Sequence, residues 1–130
     1  MPSLLPLLGL AILSGGSDAD LSGRWTSPTG NVTIAMAPCG SNGAAWCGTV
    51  VEASAEAIAD TRRASGRNLI GMTLVREMKS VGANHWRGTV VIPDRKQSVR
   101  GALRLVGSSL EVKGCAARVI CKRQRWRRVN

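Results

Sequence analysis

Tyrosine and phenylalanine are missing from the 130 residues, and histidine occurs once, at His85. All aromatic surface comes from Trp25, Trp46, Trp86 and Trp126. Stacking successive unpaired bases takes several exposed aromatic faces, so nucleic acid ranks last among the partners considered. Acids are also scarce, eight Asp and Glu in all. Glu52, Glu56, Asp60, Glu77, Asp94 and Glu111 are dispersed and offer no carboxylate pair of the kind that hydrolyses glycosides. His85 has no evident Ser or Cys to activate. No glycine-rich loop leads from a strand into a helix to cradle phosphate. The cysteines lack both the Cys-x-x-Cys of redox proteins and the spacing of zinc knuckles, so neither cofactor nor metal is expected. These absences argue against an enzyme.

Long apolar runs are lacking too, and no transmembrane segment is expected in the mature chain. The one apolar stretch, residues 1–13, contains Pro6 and leads into the small residues Ser14 to Ser17. Ser17 and Ala19 stand where a signal peptidase reads small side chains, so residues 1–19 are expected to be a signal peptide and residues 20–130 the mature domain. The leader carries no Lys or Arg, and an N-terminal core helix is the alternative. Cys39, Cys47, Cys115 and Cys121 all follow the leader. An even count in a small exported domain indicates disulfides and a periplasmic or secreted location. The spacing suggests two local staples, Cys39 with Cys47 and Cys115 with Cys121, although four cysteines allow three connectivities.

Positive charge is abundant: 18 Lys and Arg give a net charge of +10. Lys122, Arg123, Arg125, Arg127 and Arg128 crowd the C-terminus. Such a field favours anionic surfaces: lipid phosphates, acidic polysaccharide or nucleic acid. Arginine outnumbers lysine, and its planar fork suits bidentate contact with carboxylate or phosphate. A solvated face that merely keeps the protein in solution is the competing explanation.

Apolar residues alternate with period 2, and a helical period is almost absent. Strands are expected at Gly23–Thr26, Val32–Ala37, Ala45–Ala53, Leu69–Met78, His85–Ile92, Ser98–Val106, Ser109–Cys115 and Val119–Val129. Ser54 to Asp60 is expected to form a short helix or cover an opening, broken at Ser65-Gly66. Eight strands with hairpin connections and this one long linker predict an all-β, antiparallel, up-and-down barrel, which removes exposed edges. A flattened sandwich is the structural alternative.

Gly23-Arg24-Trp25, Cys47-Gly48, Arg67-Asn68-Leu69-Ile70-Gly71, Trp86-Arg87-Gly88, Leu110 to Cys115 and Gln124 to Arg128 together resemble the family called domain of unknown function 2147. Its members are small exported bacterial proteins with a lipocalin-like, or calycin, barrel. Where the family has aromatic residues after the Trp-x-Gly strand, this chain reads Val91-Ile92-Pro93-Asp94-Arg95-Lys96. The resemblance implies that Trp25 packs across the closed end of the barrel under Arg127 or Arg128, with Gly23 among the residues of that closure. That contact is structural and not catalytic.

An eight-stranded barrel holds either packed side chains or one small ligand. Met36, Val50, Met72, Leu74, Trp86, Val90, Leu103 and Leu105 are expected to face inward. Of these, Met36, Met72, Leu74, Trp86 and Leu103 would line a pocket for an acyl chain or another apolar or amphiphilic molecule. Arg67, Arg76 or Arg104 at the mouth would meet an acidic head group. The alternative is a filled barrel whose basic exterior docks on an anionic surface of the envelope.

Overall fold

A computed structural model describes residues 20–95, 97–116 and 120–129; the leader expected over residues 1–19 lies outside them. Eight antiparallel strands close into a barrel in which each neighbours the next in the chain and the last returns to the first. They are β1 Gly23–Thr26, β2 Val32–Cys39, β3 Ala45–Ala53, β4 Thr73–Gly82, β5 His85–Ile92, β6 Gln97–Val106, β7 Ser109–Ala116 and β8 Ile120–Val129. One helix, α1, spans Ala55–Ser65 between β3 and β4. The barrel is therefore the expected one, and the sandwich is not. No helix among the described residues is long and apolar enough to cross a membrane.

Local chemistry sets the connections. Ser27-Pro28-Thr29-Gly30 closes a tight turn in which the Gly30 N–H donates to the Ser27 carbonyl at 2.8 Å. Asn31 accepts hydrogen bonds from the Ser27 and Thr29 hydroxyls and holds the turn to β2. Ser54 caps α1 by accepting from the Ala57 N–H at 3.0 Å, the role short hydroxyl side chains serve at helix starts. Gly66 ends the helix, its N–H donating to the Arg62 carbonyl. Because strand direction alternates, α1 and the β1–β2 and β5–β6 turns gather at one end of the barrel, the mouth. The β2–β3, β4–β5 and β6–β7 turns lie at the other end, the base, with both ends of the domain.

The fourth strand departs from expectation. Leu69 to Met72 is a turn, not strand: Gly71 takes φ +90, the Met72 N–H donates to the Leu69 carbonyl, and Gly71 and Met72 both bond to Val50 of β3. The apolar run is explained by Leu69, which is buried in the core cluster against which Ala57 and Ile58 of α1 also pack, a position that alternation cannot reveal. At its other end β4 runs through Ser80, Val81 and Gly82, leaving Ala83 and Asn84 to make the turn. Glu77 at φ +52 marks a bulge between Arg76 and Lys79. The extra residue resets the alternation, so Val75 and Met78 are both buried.

Inside, Trp25, Ile34, Met36, Val50, Met78, Trp86, Leu103, Leu110 and Trp126 form one cluster, with Leu21 below and Leu69 above. Each fully buried side chain of this size contributes roughly 1.5–3 kcal/mol. Large and small residues interlock. Gly101 of β6 pairs with Gly114 of β7, and Val90 fills the space over them. A Cβ on Gly101 would fall 2.2 Å from Val90 Cγ2.

Both expected staples are present. Cys39–Cys47 ties the β2–β3 hairpin and Cys115–Cys121 joins directly paired residues of β7 and β8. Each constrains the unfolded chain and is worth about 2–3 kcal/mol. Replacing Cys115 and Cys121 together by Ser is expected to lower stability by about that amount, seen as a lower urea midpoint. An unchanged midpoint would mean that the β7–β8 ladder holds without its staple.

Candidate functional site

The base is built around one tryptophan. Trp25 is 0% exposed, and its indole Nε1–H donates to the Leu21 carbonyl at 3.0 Å. The register pairs Trp25 with Arg128 of β8, and the guanidinium lies 4.2 Å from the ring centroid. The same fork donates to the Ser22 carbonyl at 2.6 Å and the Asp20 carbonyl at 2.9 Å, strapping the N-terminal segment across the barrel. Gly23 makes room, since a Cβ there would lie 3.2 Å from Arg128 Nη1. Arg127 lends its backbone to the β1–β8 seam, but its side chain takes no part in covering Trp25. It pairs with Thr26 and Ser109 and is exposed, because adjacent strand residues face opposite sides. Hydrogen bonds from Ser22, to which Arg128 adds attraction, hold the Asp20 carboxyl below its ordinary range.

The residues expected to hold a ligand divide into three places. Met36, Leu74, Trp86 and Leu103 are buried together in the core cluster, packed against their neighbours. Met72 and Arg67 stand at the mouth, beside a cleft of about 600 Å³ that also takes in Ile70, Arg76, Val91 and Ser98. Arg76 reaches across it to donate to the Ser98 hydroxyl at 3.1 Å. Arg104 is not at the mouth. It pairs with His85, the first residue of β5, and so lies near the base on the outer wall. Its position follows from β6 descending from the mouth at Gln97.

That outer wall gathers charged residues from four strands. Hydrogen-bonded pairing sets His85, Arg104, Glu111 and Arg125 side by side across β5 to β8, and Arg87, Ala102, Lys113 and Arg123 in the next outward-facing row. Thr89 and Arg100 begin a third row, with Arg76 of β4 paired to Thr89. Neighbouring strands are about 4.8 Å apart, so the cations form a lattice. Glu111 is the only carboxylate within the first two rows. The ion pairs among the described residues lie elsewhere, Arg24–Glu52 at 3.2 Å and Arg63–Asp60. A depression of about 290 Å³ runs through the lattice between His85 and Arg125. Partial burial, reinforced by repulsion from Arg104, Arg87 and Lys113, holds the His85 pKa below its usual 6.5. Among the described residues no three His, Cys, Asp or Glu come together as metal ligands.

Charge counting alone misses this wall, because it draws attention to the C-terminal cluster. A signal was present in the alternation itself: His85 and Arg87, Glu111 and Lys113, and Arg123, Arg125 and Arg127 each fall two residues apart on a strand. What cannot be seen in one strand is that the registers align the rows.

Two outcomes test this geometry. Arg128→Ala is expected to destabilise the fold by about 1–3 kcal/mol through loss of the cation–π contact and two charge-assisted hydrogen bonds. Arg128→Lys, which keeps the charge but not the fork, should recover only part in the same urea titration. For His85 the folded-state pKa lies below the unfolded one, so the neutral form favours folding. Stability should be full above about pH 6.5 and fall as pH drops through the interval down to the folded pKa. His85→Gln should flatten that stretch of the stability profile, and an unchanged slope would locate the effect elsewhere.

Comparison with curated proteins finds no match, and comparison with solved structures finds none. The family described as an uncharacterised protein conserved in bacteria (DUF2147) matches residues 23–128, from the strand bearing Trp25 to the arginine that covers it. The chain belongs to that family.

Proposed function

We propose that this barrel is an exported binding module, not an enzyme, that docks on an anionic surface of the cell envelope through the outer wall of β5 to β8. The carrying observation is the alignment of Arg87, Arg100, Arg104, Lys113, Arg123 and Arg125 on adjacent strands. Folding places these cations together with one carboxylate, Glu111, among them, and their remaining mutual repulsion is what a polyanion would relieve. Export is supported by the two disulfides, which persist in oxidising compartments and are rare in the cytosol. Non-enzymatic binding is supported by the surroundings of His85, whose charged residues are cations with Glu111 the one carboxylate, and which include no Ser or Cys nucleophile.

The test is binding to acidic polysaccharide and to phosphatidylglycerol vesicles at rising salt. Attraction between exposed charges is screened as the Debye length falls from about 10 Å at 0.1 M to about 3 Å at 1 M, so affinity should drop steeply. Arg104→Glu combined with Arg123→Glu should weaken binding at least tenfold, whereas Arg63→Glu on α1 should have little effect. Equal losses from both would mean that net charge, not the wall, does the binding.

The cleft at the mouth favours a second function, capture of an amphiphile. Arg67 and Arg76 beside Ile70, Met72 and Val91 set cations next to apolar side chains, a combination suited to an acidic head group and the start of an acyl chain. Such a ligand would rest outside the packed core. Native mass spectrometry of the purified protein would reveal it as a bound mass lost on Arg67→Ala.

A further inference from the structure

The last strand is longer than the strand that closes on it. β1 pairs only with Arg127, Arg128 and Val129 of β8, while Ile120 to Trp126 continue beyond it, hydrogen-bonded to β7 on one side. Among the described residues no strand pairs with their other side. Alternate N–H and C=O groups of an antiparallel strand point to each flank, so this segment presents an unfilled row of backbone donors and acceptors. Ile120 to Arg125 are all exposed.

We propose that the free edge of β8 takes up an acidic, extended segment of a partner protein as an added strand. This goes beyond docking by the outer wall, because it uses backbone pairing and a different side of the strand. Three features argue for this occupant. The edge is held in shape by the full β7–β8 ladder and the Cys115–Cys121 bond near its tip, so little further ordering is needed on binding. Its side chains set the charge required: Arg123 and Arg125 face outward, Lys122 faces the opposite side, and an added strand with Asp or Glu would meet a cation on either face. Ile120, 61% exposed, offers an apolar contact at the far end. A second copy of this chain would bring the same cations to the edge and be repelled, which is how charged edges avoid self-association. Strand addition of this kind draws affinity from the backbone and selectivity from alternate side chains.

The experiment uses a dye-labelled peptide of alternating Glu and Val, the same peptide N-methylated at alternate residues, and an acidic polysaccharide. The acidic peptide should bind, and amide exchange at Ile120 to Arg125 should slow by at least tenfold. N-methylation, which leaves every charge in place but removes donors, should weaken binding at least tenfold. Lys122→Glu, outside the wall, should weaken it as well. Equal affinity for the N-methylated peptide, protection confined to β5 and β6, or equal protection of the same amides by the polysaccharide would each overturn strand addition. The polysaccharide result bears on the wall separately, so the two proposals can fail independently.

Discussion

The Arg128 guanidinium over Trp25 is the contact on which the rest of the barrel depends. A closed sheet has to bring its first and last strands together, and β1 is only four residues long. Three register pairs with β8 form a short seam. Arg128 strengthens it by covering the indole and by bonding to the Ser22 and Asp20 carbonyls, so one side chain links both ends of the domain. Trp25 secures the segment in turn through the Leu21 carbonyl, and Leu21 seals the base. With only one donor to satisfy, an indole at this depth gains from a local carbonyl partner, since an unpaired buried N–H is costly.

The short first strand has a consequence at the opposite end. Closure is complete at the base, where β1 meets β8, and above it the longer β8 continues paired to β7 alone among the described residues. Evolution of such an edge is constrained by aggregation, and Lys or Arg along it is a common protection. Here the protective charges coincide with the ones on the wall: Arg123 and Arg125 belong both to the edge and to the rows that cross β5 to β8. Trp86, Met78, Leu103 and Trp126 pack together in the core cluster, and the charged residues lie on the outside and at the rim.

Much of the fold was legible in the chain because exposed and buried positions alternate in hairpins with simple turns. β1, β3 and β5 begin and end where alternation places them, and the two disulfides follow from short cysteine spacings on adjacent strands. β4 was misjudged at both ends for physical reasons. Leu69 is apolar because a turn carries it into the core cluster, and the Glu77 bulge changes which residues face inward without changing composition. The choice between Arg127 and Arg128 shows the same limit at the scale of one residue. Both are arginines at the end of a strand, and only pairing with Trp25 distinguishes them.

The amino-acid sequence by itself determined the strand count, most of the turns and the excess of positive charge, and it suggested the cysteine pairs, because each depends on neighbours within a few residues. Only the tertiary structure decided that Arg104 stands near the base and not at the mouth, that the cations of four strands form rows, and that part of β8 has no strand on its second flank among the described residues. Those properties are set by register and by the unequal lengths of β1 and β8, which arise when strands distant in the chain are brought side by side.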